Sequence, residues 1–471
     1  MENIEEKIPF NSDQESFIGL KHNLFDVIKN KRRSAKVAVE KAKSVNATVP
    51  ERNLTQNFLE SKVIIWIGHS IKHWFKSKEN FKTYLGTNDT GVYDGKTANG
   101  EPSDNISIAL TADWATNTQE SMDVTNKMMS HNPDYTIHLG DTYYTGELSE
   151  INSNYIDDNA PWKKGPSGSF ALMGNHEMYT SGIFYYNPLL TNLGERDFSN
   201  SNIPYSYKGQ KASYFCLRTK FWNVIGLDTG YNSVSFPYLN SFRKNCEFEP
   251  GLVDWLKSDE LDLKNSERGI IFLSHHQYYS AYEDEYYKPA EQLAEIIGTE
   301  RKVLWIWGHE HRFSIYGKFK SKNGIPVHGR CIGHGGMPVE IDAIYKKEKD
   351  QKFDATANDR KLLITDKRIR KIVDKTPIGF NGYVILNIKN KNITITYYSI
   401  EDTSSPDSNV ISSTNTLALL EETWTIDNKG SVTGIAGGAK HLVKTPDFNF
   451  EGGRWIGDEV IKEKTIEDIY L

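Results

Sequence analysis

Cysteine is scarce: Cys216, Cys246 and Cys331 are the only three in 471 residues and stand far apart. No CxxC pair occurs, which argues against a disulfide framework and against a thiolate zinc site. A basic excess is also missing. Lys and Arg number 56 against 62 Asp and Glu, a formal net charge of -6, so no dedicated nucleic-acid binding is expected. The opening segment, MENIEEKIPFNSDQE, is acidic and lacks the apolar stretch of a secretory signal, so a cytoplasmic location is expected. The apolar and aromatic segment VIIWIGHSIKHWF (63–75) falls short of the about 20 residues a bilayer span requires. It reads as a helix packing on the rest of the chain rather than as a membrane anchor. What remains is an ordinary globular profile, 38% hydrophobic and 25% charged, long enough for a sizeable core.

The texture changes along the chain. Residues 1–100 are rich in Lys, Asn and Glu with helical stretches, and read as a helical N-terminal extension. From about residue 104 short apolar runs recur: ISIALTA, YTIHL, SFALM, FWNVIGL, GIIFLS and VLWIW. Runs of this length, separated by segments with helical spacing such as EPGLVDWLKSDELDL, suit strands buried on both faces of a sheet, an α/β pattern. After residue 375 the runs GYVILNI, NITITYYSI and LALLEETWTI look like antiparallel strands of a second sheet. The main domain is therefore expected over 101–426, and 427–471 reads as a wrapping tail.

The chemistry sits where the runs end, as open α/β sheets build their sites. Asp113 follows ISIALTA; Gly140-Asp141-Thr142-Tyr143-Tyr144 follows YTIHL; Gly174-Asn175-His176-Glu177 follows SFALM; His275-His276 follows GIIFLS; Gly308-His309-Glu310-His311 follows VLWIW. Carboxylate, carboxamide and imidazole are the donors that hold Zn, Fe and Mn. There are enough of them for two ions. Paired cations clamp the attacking and leaving oxygens of an anionic phosphoester and lower the pKa of bound water, so the set points to phosphoester hydrolysis. One carboxylate must bridge the ions, and Asp141 is the choice, on a turn where Gly140 lets the backbone pass close. Taken singly each motif reads as an ordinary turn; five in series do not.

This order of motifs resembles the calcineurin-like metallophosphoesterases. The resemblance covers about residues 104–400 and implies a sandwich of two mixed β-sheets flanked by helices. The family's first motif, D-x-H, lacks its His here, Ala115 standing in that place. The purple acid phosphatase branch shows the same gap and uses the tyrosine of GDxxY instead. That spacing favours Tyr144, with Tyr143 as the alternative register. Asp113-Trp114 and Gly333-His334-Gly335-Gly336 are similar to further elements of the family. The resemblance implies Asp113, Asp141, Tyr144 and His311 around one metal, Fe(III), and Asp141, Asn175, His275 and His309 around a second, divalent Fe, Zn or Mn. It implies a metal-bound hydroxide as nucleophile and His176 as the catalytic His, with Glu177 a candidate to orient it. His276 is left as a substrate contact or a supporting group. The implied substrate is a small phosphomonoester or phosphodiester. Aromatic-rich loops at 145–168, 178–210 and 278–300 put a nucleotide among the candidates. The rival readings are a catalytically silent metal-binding scaffold and a membrane-peripheral interaction protein of the same fold.

Overall fold

The computed structural model describes residues 77–199, 206–234, 245–341, 344, 362–373, 376–402 and 414–439. One eight-stranded sheet runs in the spatial order β1 (Val92–Asp94), β6 (Phe215–Arg218), β7 (Trp222–Gly226), β8 (Gly269–Ser274), β9 (Val303–Trp307), β11 (Val327–Ile332), β10 (Phe313–Phe319) and β12 (Leu362–Thr365). The second runs β18 (Val432–Ala439), β17 (Thr414–Ile426), β16 (Asn392–Asp402), β15 (Gly382–Lys389), β2 (Asn105–Thr111), β3 (Tyr135–His138), β4 (Gly168–Ala171) and β5 (Gly194–Glu195). Both are mixed. β7, β8, β9 and β11 are parallel, as are β2, β3 and β4, while β15 to β18 pair antiparallel and join through β15 to β2.

The apolar runs are continuous because each strand feeds two cores. In β8, Ile271 and Leu273 enter the core between the sheets, whereas Ile270 and Phe272 pack on the outer face. β9 divides likewise, with Leu304 and Ile306 inward and Val303, Trp305 and Trp307 outward. Helices α4 (Pro250–Leu256) and α5 (Tyr287–Ile297) cover that outer face through Leu252, Trp255 and Leu293. Across the molecule, Ile108 and Leu110 of β2 meet the inter-sheet core, and Ala109 turns to the cluster under α1 (Gln119–Met129), with Val124 and Met128. Each large apolar side chain buried this way contributes about 1.5–3 kcal/mol, which no half-polar strand could match. The result is a sandwich of two mixed sheets with helices outside, as the motifs implied.

Strands also lie in the stretches read as extension and tail. Residues 77–100 carry no helix; β1 lies among them and pairs parallel with β6, so this stretch joins the first sheet. The stretch expected as a tail, 427–471, contains β18, the outermost strand of the second sheet. The segment 63–75 and the rest of residues 1–76 lie outside the described residues, as do 440–471. No helix among the described residues is long and apolar enough to cross a membrane.

Candidate metal centre

Every expected donor sits just past a strand's carboxyl end. Asp113, Asp141 and His309 all take left-handed backbone angles, with φ of 54°, 72° and 65°. Non-glycine residues hold such angles only where the surroundings enforce them, a pattern common at functional sites. The chain thereby leaves each strand and turns its donor back over the sheet edge. Close approach demands glycine beside them. A Cβ on Gly140 would lie 2.8 Å from the Gly174 nitrogen, and one on Gly174 would lie 2.1 Å from Asp141 Oδ1. Asp113 is further clamped by the Gly-rich turn, whose Gly336 and Met337 N–H groups donate to its carbonyl at 3.1 and 2.8 Å.

The donors gather into two adjoining groups: Asp113, Asp141 and His311; and His275, His276 and His309. Asp141 joins them, because its Oδ2 lies 3.3 Å from His275 Nε2 and also accepts the Tyr143 hydroxyl at 3.3 Å. Asn175 points its Oδ1 at His275 Nε2, 3.2 Å away, while its Nδ2 donates to the Tyr179 hydroxyl at 3.3 Å. His309 Nδ1 is 3.3 Å from the same His275 nitrogen. Asp141, Asn175, His275 and His309 thus lie side by side, with His276 against them.

The tyrosine is different. Tyr143, not Tyr144, sends its hydroxyl among the donors, 2.8 Å from Asp113 Oδ1 and 2.8 Å from His311 Nε2. Tyr144 serves through its backbone, donating its N–H to Glu150 Oε1 and presenting its carbonyl to His176 Nδ1 at 2.5 Å. The GDxxY spacing misled because the chain bonds early: the Tyr143 N–H reaches the Ala115 carbonyl at 3.0 Å. Tyr143 is thus tied to the residue that stands where the family's missing His would be.

Glu177 also departs from expectation. Its buried Oε2 accepts from the N–H of Gly174 at 2.8 Å and of Asp141 at 3.1 Å, so it clips the GNHE turn to the GD turn instead of orienting His176. It sits at the third position of the short helix α3 (Asn175–Met178), where a reach back to the cap is a standard use of Glu. Burial, reinforced by the Asp141 charge, pushes its carboxyl up to about 7. Sequence reading also passed over Asp228-Thr229-Gly230, which ends the FWNVIGL run as the other motifs end theirs. Thr229 Oγ1 accepts the His276 N–H at 2.9 Å and lies 3.2 Å from its Nδ1.

Charge is balanced tightly here. Burial opposes ionisation of Asp141, but His176 and His275 hold its carboxyl well below the usual range. Burial opposes protonation of His275, yet the Asp141 carboxylate lifts it to about 9. Burial and neighbouring His275 push His309 down to about 4, and burial with the Asp113 and Asp141 charges pushes the Tyr143 phenol far up. Two carboxylates, a phenol, a carboxamide oxygen and four imidazoles converging in one buried focus fit cations of the Zn, Fe and Mn class. His275 shows the usual support of a ligating ring: its Nδ1 is held by the Leu139 carbonyl at 3.0 Å, which leaves Nε2 for the site.

Two packed mixed sheets with such a cluster at their strand ends are the architecture of the metallophosphoesterase fold. Residues 106–313 match the model of the calcineurin-like phosphoesterase family. Among solved structures the chain is similar to PhoD, at 10% identity over 78% of this chain and 76% of that one, with a TM-score of 0.44. It is similar also to Vacuolar Protein Sorting 29 from Cryptosporidium parvum, at 10% identity over 68% and 98%, TM-score 0.25. A third is the 5'-nucleotidase from Candida albicans SC5314, at 15% identity over 52% and 47%, TM-score 0.27. No curated protein matches the chain.

Proposed function

We propose that the protein hydrolyses small phosphoesters at a two-metal centre of the purple acid phosphatase-like kind. The observation that carries this is Asp141 Oδ2, placed within 3.3 Å of both the Tyr143 hydroxyl and His275 Nε2, where one carboxylate can serve two sites. Asp113, Asp141, Tyr143 and His311 would hold one ion, and Asp141, Asn175, His275 and His309 the other. The pair would supply the concentrated positive charge and the acidified water that attack on phosphorus needs.

The chain's own residues supply the rest. His176 Nδ1–H donates to the Tyr144 carbonyl, which fixes the ring and turns Nε2 towards Asp141 Oδ2, 3.7 Å away. Its side chain keeps 17% of its surface open, so substrate can reach it. Burial holds His176 below the ordinary imidazole range, against Asp141 and the Tyr144 carbonyl, which favour the protonated ring. When it carries a proton on Nε2 as well, the ring can bind a phosphoryl oxygen and pass that proton to the leaving oxygen. Many aromatics of the surrounding loops, among them Tyr155, Tyr185, Tyr186, Tyr278 and Tyr279, are buried in the cores, leaving fewer rings to stack on a base. A nucleotide is therefore one substrate to test among several.

The test uses p-nitrophenyl phosphate and bis(p-nitrophenyl) phosphate with Fe, Mn or Zn added. Turnover is expected, falling about 100-fold or more in His176→Ala. A folded, metal-loaded protein that turns over neither ester would establish the silent scaffold instead.

A further inference from the structure

We propose that His276 is a nitrogen ligand of the second cation, in addition to Asp141, Asn175, His275 and His309. The inference rests on the two-metal reading and extends it.

His275 and His276 are consecutive residues after β8. On a continuing strand they would point to opposite faces. Instead both rings come to His309: the His276 ring centroid lies 4.5 Å from that of His309 and 4.8 Å from that of His275, and His275 lies 5.2 Å from His309. One ring nitrogen from each of the three lies within 4.8 Å of the other two. The turn is enforced by Thr229, which follows the neighbouring strand β7. Its hydroxyl oxygen accepts the His276 backbone N–H at 2.9 Å and, with its second lone pair, can accept Nδ1–H at 3.2 Å.

That arrangement repeats the one at His275, whose Nδ1 is held by the Leu139 carbonyl. The Leu139 carbonyl takes the Nδ1 proton of His275, and the Thr229 hydroxyl can take that of His276, which leaves the Nε2 electron pair free for a cation, the arrangement of a ligating imidazole. His276 as a residue is 2% exposed, so it is no surface contact for bulk solvent. A site faced by three imidazoles favours borderline cations such as Zn or Fe(II) over Mg, Ca and Mn, which prefer oxygen.

The test is metal binding by the full chain, stripped of metal and titrated calorimetrically with Zn(II) and with Mn(II). Wild type should take two equivalents. His276→Ala and the bulk-preserving His276→Gln should weaken the second Zn(II) equivalent about tenfold or more, with the Mn(II) isotherm changing less. Loaded with Co(II), both variants should show altered visible d–d bands. Thr229→Val, which keeps the imidazole but removes its Nδ1 acceptor, should weaken the same equivalent. Thermal melting verifies that each variant is folded. Unchanged affinities and an unchanged Co(II) spectrum in folded His276→Gln would overturn the assignment while leaving the two-metal reading intact. A wild type that takes fewer than two equivalents would bring down that reading itself.

Discussion

At the residue scale, the decisive detail is which of two adjacent tyrosines faces the cluster. Tyr143 and Tyr144 are chemically identical, so only backbone bonding separates them: Tyr143 N–H to Ala115, Tyr144 N–H to Glu150. If Tyr143 binds Fe(III), aerobically prepared protein will show a tyrosinate charge-transfer band. Tyr143→Phe should abolish that band and Tyr144→Phe should keep it; the reverse result would restore the GDxxY register. A second residue-scale prediction concerns Asp228, fully buried beneath the Thr229 turn, where it accepts from the Ser213 hydroxyl and from the Tyr231 N–H at 2.8 Å. Burial lifts its carboxyl from the usual 3.8 to about 6. The fold therefore prefers the protonated form. The stabilisation is fully present below pH about 4 and is lost as pH rises through about 6, so the ionised group costs on the order of 2–3 kcal/mol at neutrality. Asp228→Asn retains an acceptor for Tyr231 and offers a donor to Ser213. Denaturant titrations at pH ~7 and ~4 should show it more stable than wild type at the higher pH only.

At the element scale, the turns after the strands carry the site, and the strands merely aim them. Asp113, His176 and His309 were legible because polar residues directly after a buried strand have few bland uses when five such cases recur. Glu177 was misread, because its role depends on the GD turn lying against the GNHE turn, a contact no local pattern encodes. Gly174→Ala tests that contact: its Cβ would meet Asp141 Oδ1 at 2.1 Å and the Asp141 nitrogen at 2.8 Å. The substitution should cost about 1–3 kcal/mol through overpacking, read by denaturant unfolding, and should weaken metal binding along with activity.

At the scale of the whole molecule, the centre links the two sheets. Asp113, Asp141 and Asn175 follow β2, β3 and β4 of the second sheet; His275 and His309 follow β8 and β9 of the first. A cation held by both groups therefore favours the assembled sandwich over the unfolded chain. Ligands present at about 1,000 times their dissociation constant stabilise by about 4 kcal/mol each, so chelation should lower the melting temperature by several degrees and re-addition of Zn or Mn should restore it. A melting curve unmoved by chelator would mean that the donors do not hold metal at this interface.

The local sequence by itself determined the strands, since a run apolar at every position can only be buried on both faces, and it determined the donor types placed at their ends. Tertiary structure alone decided the order of strands in each sheet, the entry of residues 92–94 and 432–439 into those sheets, and the choice of Tyr143. The entry of 92–94 and the choice of Tyr143 depend on hydrogen bonds between segments tens to over a hundred residues apart, while 432–439 turns back on β17 only where that strand already has a sheet to join. Periodicity and spacing, which act over a few residues, cannot express them.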